Sequence, residues 1–144
     1  MKKIFFIIIW FSLLLNATII RDNTKEVVID SNTNLMWQDN SSAKYIKVKW
    51  TDAIDYCETL KFAGYSDWRL PNVRELYSIV EHTVIDPSIV NGFKNITSYY
   101  YWSSTTQSIS TNQTKGWLVG FMVGKKLPIN KNDSHYVRCV RDNN

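Results

Sequence analysis

The chain has 144 residues, with 17 Lys and Arg against 13 Asp and Glu for a formal charge of +4, and 14% of it is aromatic. That length suits one globular unit better than two, and the aromatic load excludes a disordered chain. Two cysteines exclude a multi-disulfide mini-protein and an all-cysteine metal cluster.

Lys2 and Lys3 precede an apolar run from Ile4 to Leu15. The run is shorter than the roughly 20 residues a bilayer span needs. We read residues 1–17 as a secretory signal peptide cleaved after Ala17, and residues 18–144 as one domain. An uncleaved N-terminal anchor is the alternative, and it would be the chain's only link to a membrane. Without residues 1–17 the charge falls to +2, so part of the basicity belongs to the leader. In an exported domain two cysteines are expected to pair, here Cys57 with Cys139. Neither lies in a C-x-x-C, and His82 and His135 show no spacing that would activate a thiol.

Lys25 to Ile29 reads as a strand, Asp30 to Asn34 as a turn, and Leu35 to Trp37 as the returning strand of a hairpin. Thr51 is the expected cap of a first helix. Asp52 and Asp55 lie in its first turn, Ala53, Ile54, Cys57 and Leu60 form its buried stripe, and Gly64 is its stop. Asn72 is the expected cap of a second helix, with Glu75 completing a capping box. Val73, Leu76, Tyr77 and Val80 are its apolar face, and it is expected to end near Glu81 or His82. Residues 83–98 read as loop and Tyr99 to Ser103 as a strand. Residues 104–115, rich in Ser, Thr, Gln and Asn, read as a mobile loop or hairpin tip. Residues 117–123 are apolar on both faces, which points to a central strand. Gly124 to Lys126 is the expected turn, and Tyr136 to Arg141 the last strand. A hairpin, two helices and then several strands make an α+β fold with helices packed on a mostly antiparallel sheet.

Several runs occur in one order: Leu35-Met36-Trp37-Gln38-Asp39, then Trp50 with Ala53, Tyr56 and Cys57, then Gly64-Tyr65 and Asp67-Trp68-Arg69-Leu70-Pro71. Glu75-Leu76, Tyr101-Trp102-Ser103-Ser104-Thr105 and Val137-Arg138-Cys139-Val140-Arg141 follow. Together they resemble the family of the C-terminal domain of the Legionella collagen-like adhesin, over about residues 26–141. The resemblance implies a C-type-lectin-like fold, in which a disulfide often links the first helix to the last strand. It also implies an exported binding module without catalysis, and its named relative binds sulfated polysaccharide at the cell surface. This chain lacks a collagen-like repeat, so trimerisation through one does not carry over. It also has Asn34 where a Gly is usual, and Asn tolerates the left-handed conformation.

Trp68-Arg69-Leu70-Pro71 reads as structure, with Arg69 paired to a carboxylate such as Glu75. Trp102 stands between two readings: a stacking platform for a sugar beside Ser103, Ser104 and Thr105, or a buried strand residue. Charge is uneven. Residues 44–49 hold Lys44, Lys47 and Lys49 with no acid, residues 50–86 sum to −4, and residues 115–144 sum to +4. A basic patch drawn from Lys44, Lys47, Lys49, Lys125, Lys126 and Arg138 is the expected ligand surface, and an ordinary solvated face is its alternative. No metal or other cofactor is expected: Asp30-x-Asn32-x-Asn34 lacks the Gly and Glu of a calcium loop. Arg69-Leu70-Pro71-x-x-x-Glu75 distantly resembles the formylglycine-generating oxidases, which are larger and need a reactive cysteine pair. The expected partner is a polysaccharide or a surface protein, not nucleic acid.

Overall fold

The computed structural model describes residues 18–108 and 113–144. The expected leader and residues 109–112 of the polar stretch lie outside the described residues. The elements follow as β1 (Ile19–Asp22), β2 (Val27–Asp30), β3 (Leu35–Gln38), α1 (Ser42–Tyr45), β4 (Lys47–Val48) and α2 (Trp50–Thr59). Then come α3 (Val73–Ser78), β5 (Tyr100–Thr106), β6 (Lys115–Gly120), β7 (Lys125–Asn130), β8 (His135–Tyr136) and β9 (Val140–Asp142).

The strands form two sheets, β1-β2-β3-β9 and β4-β8-β5-β6-β7. Pairing is antiparallel except between β5 and β8. The α+β class therefore holds, with two sheets in place of one and a one-turn α1 ahead of the two expected helices. Alternation along the strands feeds two cores. Val28, Trp37, Tyr101, Val119 and Phe121 pack with Leu76 and Ile79 around α3. Val27, Met36, Trp102 and Leu118 pack with Ala53 and Cys57 of α2. This is why β6 is apolar on both faces, as its central position between β5 and β7 demands.

Cys57 and Cys139 form the disulfide, with Cα atoms 5.5 Å apart. It ties α2 to the residue just before β9. The hairpin turn relies on Asn34, which sits at φ 54°. Asp30 fixes the same turn by accepting from Asn32 N (2.9 Å) and Thr33 Oγ1 (2.7 Å).

Several boundaries differ from expectation. Thr51 is the second residue of α2, and Lys49 holds the cap position without a side-chain bond. Trp50 sets the start instead, because its indole donates to Ser103 O (2.9 Å). Gly64 does not stop this helix. With Ala63 it forms the two left-handed positions (φ 86° and 56°) of a tight turn closed by Phe62 and Tyr65. The capping box of Asn72 and Glu75 is present, but α3 ends at Ser78, and unwinding there lets Ile79 and Val80 both enter the core. The turn expected at residues 124–126 lies at residues 121–124, and Lys125 and Lys126 open edge strand β7. Those charges, together with Pro128, guard its free edge. The expected last strand is split. Residues 137–139 carry the chain from one sheet to the other and are all buried.

Candidate binding surface

Two residues expected at the ligand surface are structural. Trp102 is 0% exposed, and its indole donates to Val48 O (2.9 Å). The hydroxyls that follow it serve the fold too. Ser103 Oγ donates to Trp117 O (2.7 Å), and Thr105 Oγ1 accepts from Val73 N (3.0 Å) at the start of α3. Arg138 is also fully buried. It ion-pairs with Asp39 (2.8 Å) and donates to the carbonyls of Gln38 and Asn95. Both sheets close over these side chains, so neither presents a face to a ligand. Arg69 pairs as expected: it donates to both oxygens of Glu75 (2.8 Å each) and to Asp142 (3.1 Å). Those carboxylates raise its guanidinium pKa further against the pull of burial.

Two exposed aromatics lie just ahead of Trp102, and a third, Tyr45, ends α1. Tyr99 is 61% exposed and Tyr100 38%. Tyr100 opens β5, pairs with Gly120 on β6, and Gly120 pairs with Lys125 on β7. The Tyr100 ring lies across Gly120. A Cβ on Gly120 would sit 2.4 Å from Cε1 of that ring, so only glycine leaves the seat open. Tyr99 stacks on Tyr136 (centroids 6.1 Å apart, planes at 18°), and Tyr100 stands edge-on to His135 (6.2 Å, 89°). The two tyrosines form a ridge with a cleft on each flank.

One cleft, of about 400 Å³, is lined by Lys47, Tyr99, Tyr100, His135 and Tyr136. The other, of about 290 Å³, is lined by Ser98, Tyr99, Tyr100, Gly120, Met122, Val123 and Lys125. These volumes lie at the low end of the 300–1,000 Å³ range of small-ligand pockets. The surface suits pieces of a longer ligand laid across it.

The expected lysines do not form one patch. Lys44 lies on α1, Lys47 on β4 and Lys49 at the cap of α2, all along one edge of the five-stranded sheet. Lys125 and Lys126 lie on the opposite edge, four strand steps away, or about 19 Å. Screening at physiological salt acts over about 8 Å, so the two groups do not share one field. Lys125 and Lys126 also point to opposite faces. Lys125 lines the ridge's second cleft, while Lys126 Nζ sits 4.1 Å from the ring centre of Tyr77, beside α3. Lys47 and Lys125 each line one of the two clefts, and the strand register places them on opposite faces of the five-stranded sheet.

His135 escaped the sequence reading, as did Tyr99, Tyr100, Met122 and Val123. Its Nε2 is buried without a hydrogen-bond partner. Burial pushes its pKa down, Asp133 opposes that shift, and Lys47 adds to it. The ring is thus neutral at neutral pH. Among the described residues no cluster of three or more His, Cys, Asp or Glu is placed to hold a metal ion, and no helix is long and apolar enough to cross a membrane.

Comparison with protein families matches residues 26–141 to the Lcl C-terminal domain. No curated protein matches the chain. The match spans most of the chain and contains both cysteines, both cores and the tyrosine ridge. The chain belongs to the Lcl C-terminal domain family, an adhesin-associated family of domains and not a family of enzymes.

Proposed function

We propose that this chain is an exported, non-catalytic binding module that recognises acidic extracellular polysaccharide across the Tyr99–Tyr100 ridge. The observation that carries this reading is the pair of exposed tyrosine rings with one lysine-bearing cleft on each side. Flat, rigid phenols offer apolar area to sugar faces at low entropy cost and keep a hydroxyl for hydrogen bonding. Lys47 and Lys125 supply positive charge on strands about 19 Å apart, one in each cleft, an arrangement that suits a polymer wrapped over the ridge better than a small anion. Export is supported by the apolar run at residues 4–15 and by the Cys57–Cys139 disulfide, which persists in oxidising compartments.

The test is binding of the oxidised domain to a sulfated polysaccharide and to its desulfated form at low and moderate salt. Lys47→Gln and Lys125→Gln should each weaken binding and flatten its salt dependence. Equal binding of both polymers with no salt effect would overturn the reading.

A protein partner is the second reading. It is favoured by the exposed Val84, Ile85, Met122 and Val123 next to the ridge, an apolar content high for a surface. Retention of a surface-protein partner together with silence toward every polysaccharide would select it.

A further inference from the structure

The two clefts beside the ridge differ in chemistry. The Lys47 cleft is mixed, with one cation among aromatic walls that include Tyr136 and His135. The second cleft is mostly apolar. Met122 and Val123 form its outer wall at 53% and 48% exposure, the Tyr100 ring its inner wall, and Gly120 its floor. The Ser98 hydroxyl at its rim is held by Asp86, which leaves Lys125 as the cation facing a ligand there. A surface built only to attract a polyanion has no use for a methionine and a valine held out of the core beside its stacking ring.

We infer that the Met122–Val123 cleft seats the methyl of an acetamido group, so that the preferred ligand is an N-acetylated acidic polysaccharide. The inference rests on the glycan reading above and narrows it to a substrate class. A sugar stacked on Tyr100 places its ring substituents to either side of the ridge. An acetamido methyl toward Met122 and Val123 leaves water, while a carboxylate or sulfate on the neighbouring unit meets Lys125 or, across the ridge, Lys47. Gly120 makes the arrangement possible, since any side chain there would lift the Tyr100 ring and close the floor.

A peptide fits this place less well. The backbone under the cleft is already paired, Tyr100 with Gly120 and Gly120 with Lys125, and at the free edge of β7 Lys125, Lys126 and Pro128 oppose strand addition. A peptide would be held by isolated side chains alone.

The experiment isolates one methyl. An N-acetylated, uronate-containing oligosaccharide (hyaluronan) is compared with the same oligosaccharide de-N-acetylated and re-N-formylated, at one ionic strength. Charge is equal in the two, so Lys47 and Lys125 treat them alike. The wild-type domain should bind the N-acetyl form about fourfold tighter per methyl seated, the equivalent of about 0.8 kcal/mol for one buried carbon. The exposed double variant Met122→Gln with Val123→Thr should lose that preference, binding the two forms equally, with its melting temperature unchanged. Equal binding of both forms by the wild type overturns the inference and leaves the glycan reading standing, as does a preference that survives in the double variant. Binding of neither form also overturns the inference, and the sulfated polymer of the earlier test then decides the glycan reading separately.

Discussion

Replacing Asp39 by Asn probes the hub that holds Arg138 away from solvent. Asp39 and Arg138 side chains are both 0% exposed and 2.8 Å apart. The same carboxylate accepts from Lys94 N (2.9 Å) and Asn95 N (3.1 Å) and ion-pairs with Arg21. Asn keeps the shape but removes the charge, and its amide nitrogen opposes one of these donors. Arg138 then remains buried with no counter-charge, the situation that costs about 3–5 kcal/mol when one member of a buried pair is removed. In a domain of this size each kcal/mol moves the midpoint by about 3–5 °C, so Asp39→Asn should melt about 10–20 °C below the wild type. Thermal unfolding followed by the fluorescence of buried Trp37 and Trp102 measures it. Asp39→Leu combined with Arg138→Met should recover only part of the loss: the hydrophobic pair needs no desolvation, but Lys94 N, Asn95 N and Arg21 lose their acceptor. A shift under about 3 °C for Asp39→Asn would refute the reasoning. So would loss of polysaccharide binding by a variant that is fully folded, since that would return Arg138 to the ligand surface.

Three further outcomes are expected. Gly120→Ala places a Cβ 2.4 Å from the Tyr100 ring, so the ring must move by about 1 Å to regain contact distance. Polysaccharide affinity should fall several-fold while stability drops by no more than about 2 kcal/mol, both read by titration and thermal melting of the same preparation. Cys57→Ser with Cys139→Ser opens an 82-residue loop and should cost up to about 4.5 kcal/mol in denaturant unfolding, with ligand affinity retained where the variant is folded. The pKa of His135 is lower in the fold than the ordinary value of about 6.5. Its contribution to stability is therefore complete above that pH and is lost as pH falls through the folded-state value. His135→Phe should flatten the stability profile just below about pH 6.5, and an unchanged profile there would exclude this histidine as the cause. Losses below about pH 4 belong to Asp67 and Glu81, whose pKa values are lowered by the Arg141 hydrogen bond and by the Thr83 backbone amide respectively.

Local signals in the sequence marked the features that local chemistry decides. The capping box of Asn72 and Glu75, the Arg69–Glu75 pair, the left-handed Asn34 and the cysteine pairing all follow from short-range pattern or from residue type. What stayed hidden depends on which sheet covers which face. Tyr99-Tyr100-Tyr101-Trp102 has no polar alternation, so nothing in it says that the exposed rings are the first two and the buried ones the last two. The signal that separates them is Gly120, and it becomes readable only once β5 and β6 are in register. The basic stretches were legible as charge and illegible as geometry, because β4 and β7 become opposite edges only when β8 inserts beside β5. The split of the last strand was hidden for the same reason. Residues 137–139 cross between two sheets, and that crossing buries Arg138.

The most direct measurement is the dissociation constant of an acidic polysaccharide for the wild type and for Tyr99→Ser with Tyr100→Ser, with melting temperature recorded alongside. Both side chains are exposed enough for the fold to survive their removal. Loss of two stacking rings, each worth about 0.5–1.5 kcal/mol beyond its area, should weaken binding by about tenfold or more at an unchanged melting temperature. An unchanged dissociation constant in the folded double variant would contradict the ridge as the binding surface.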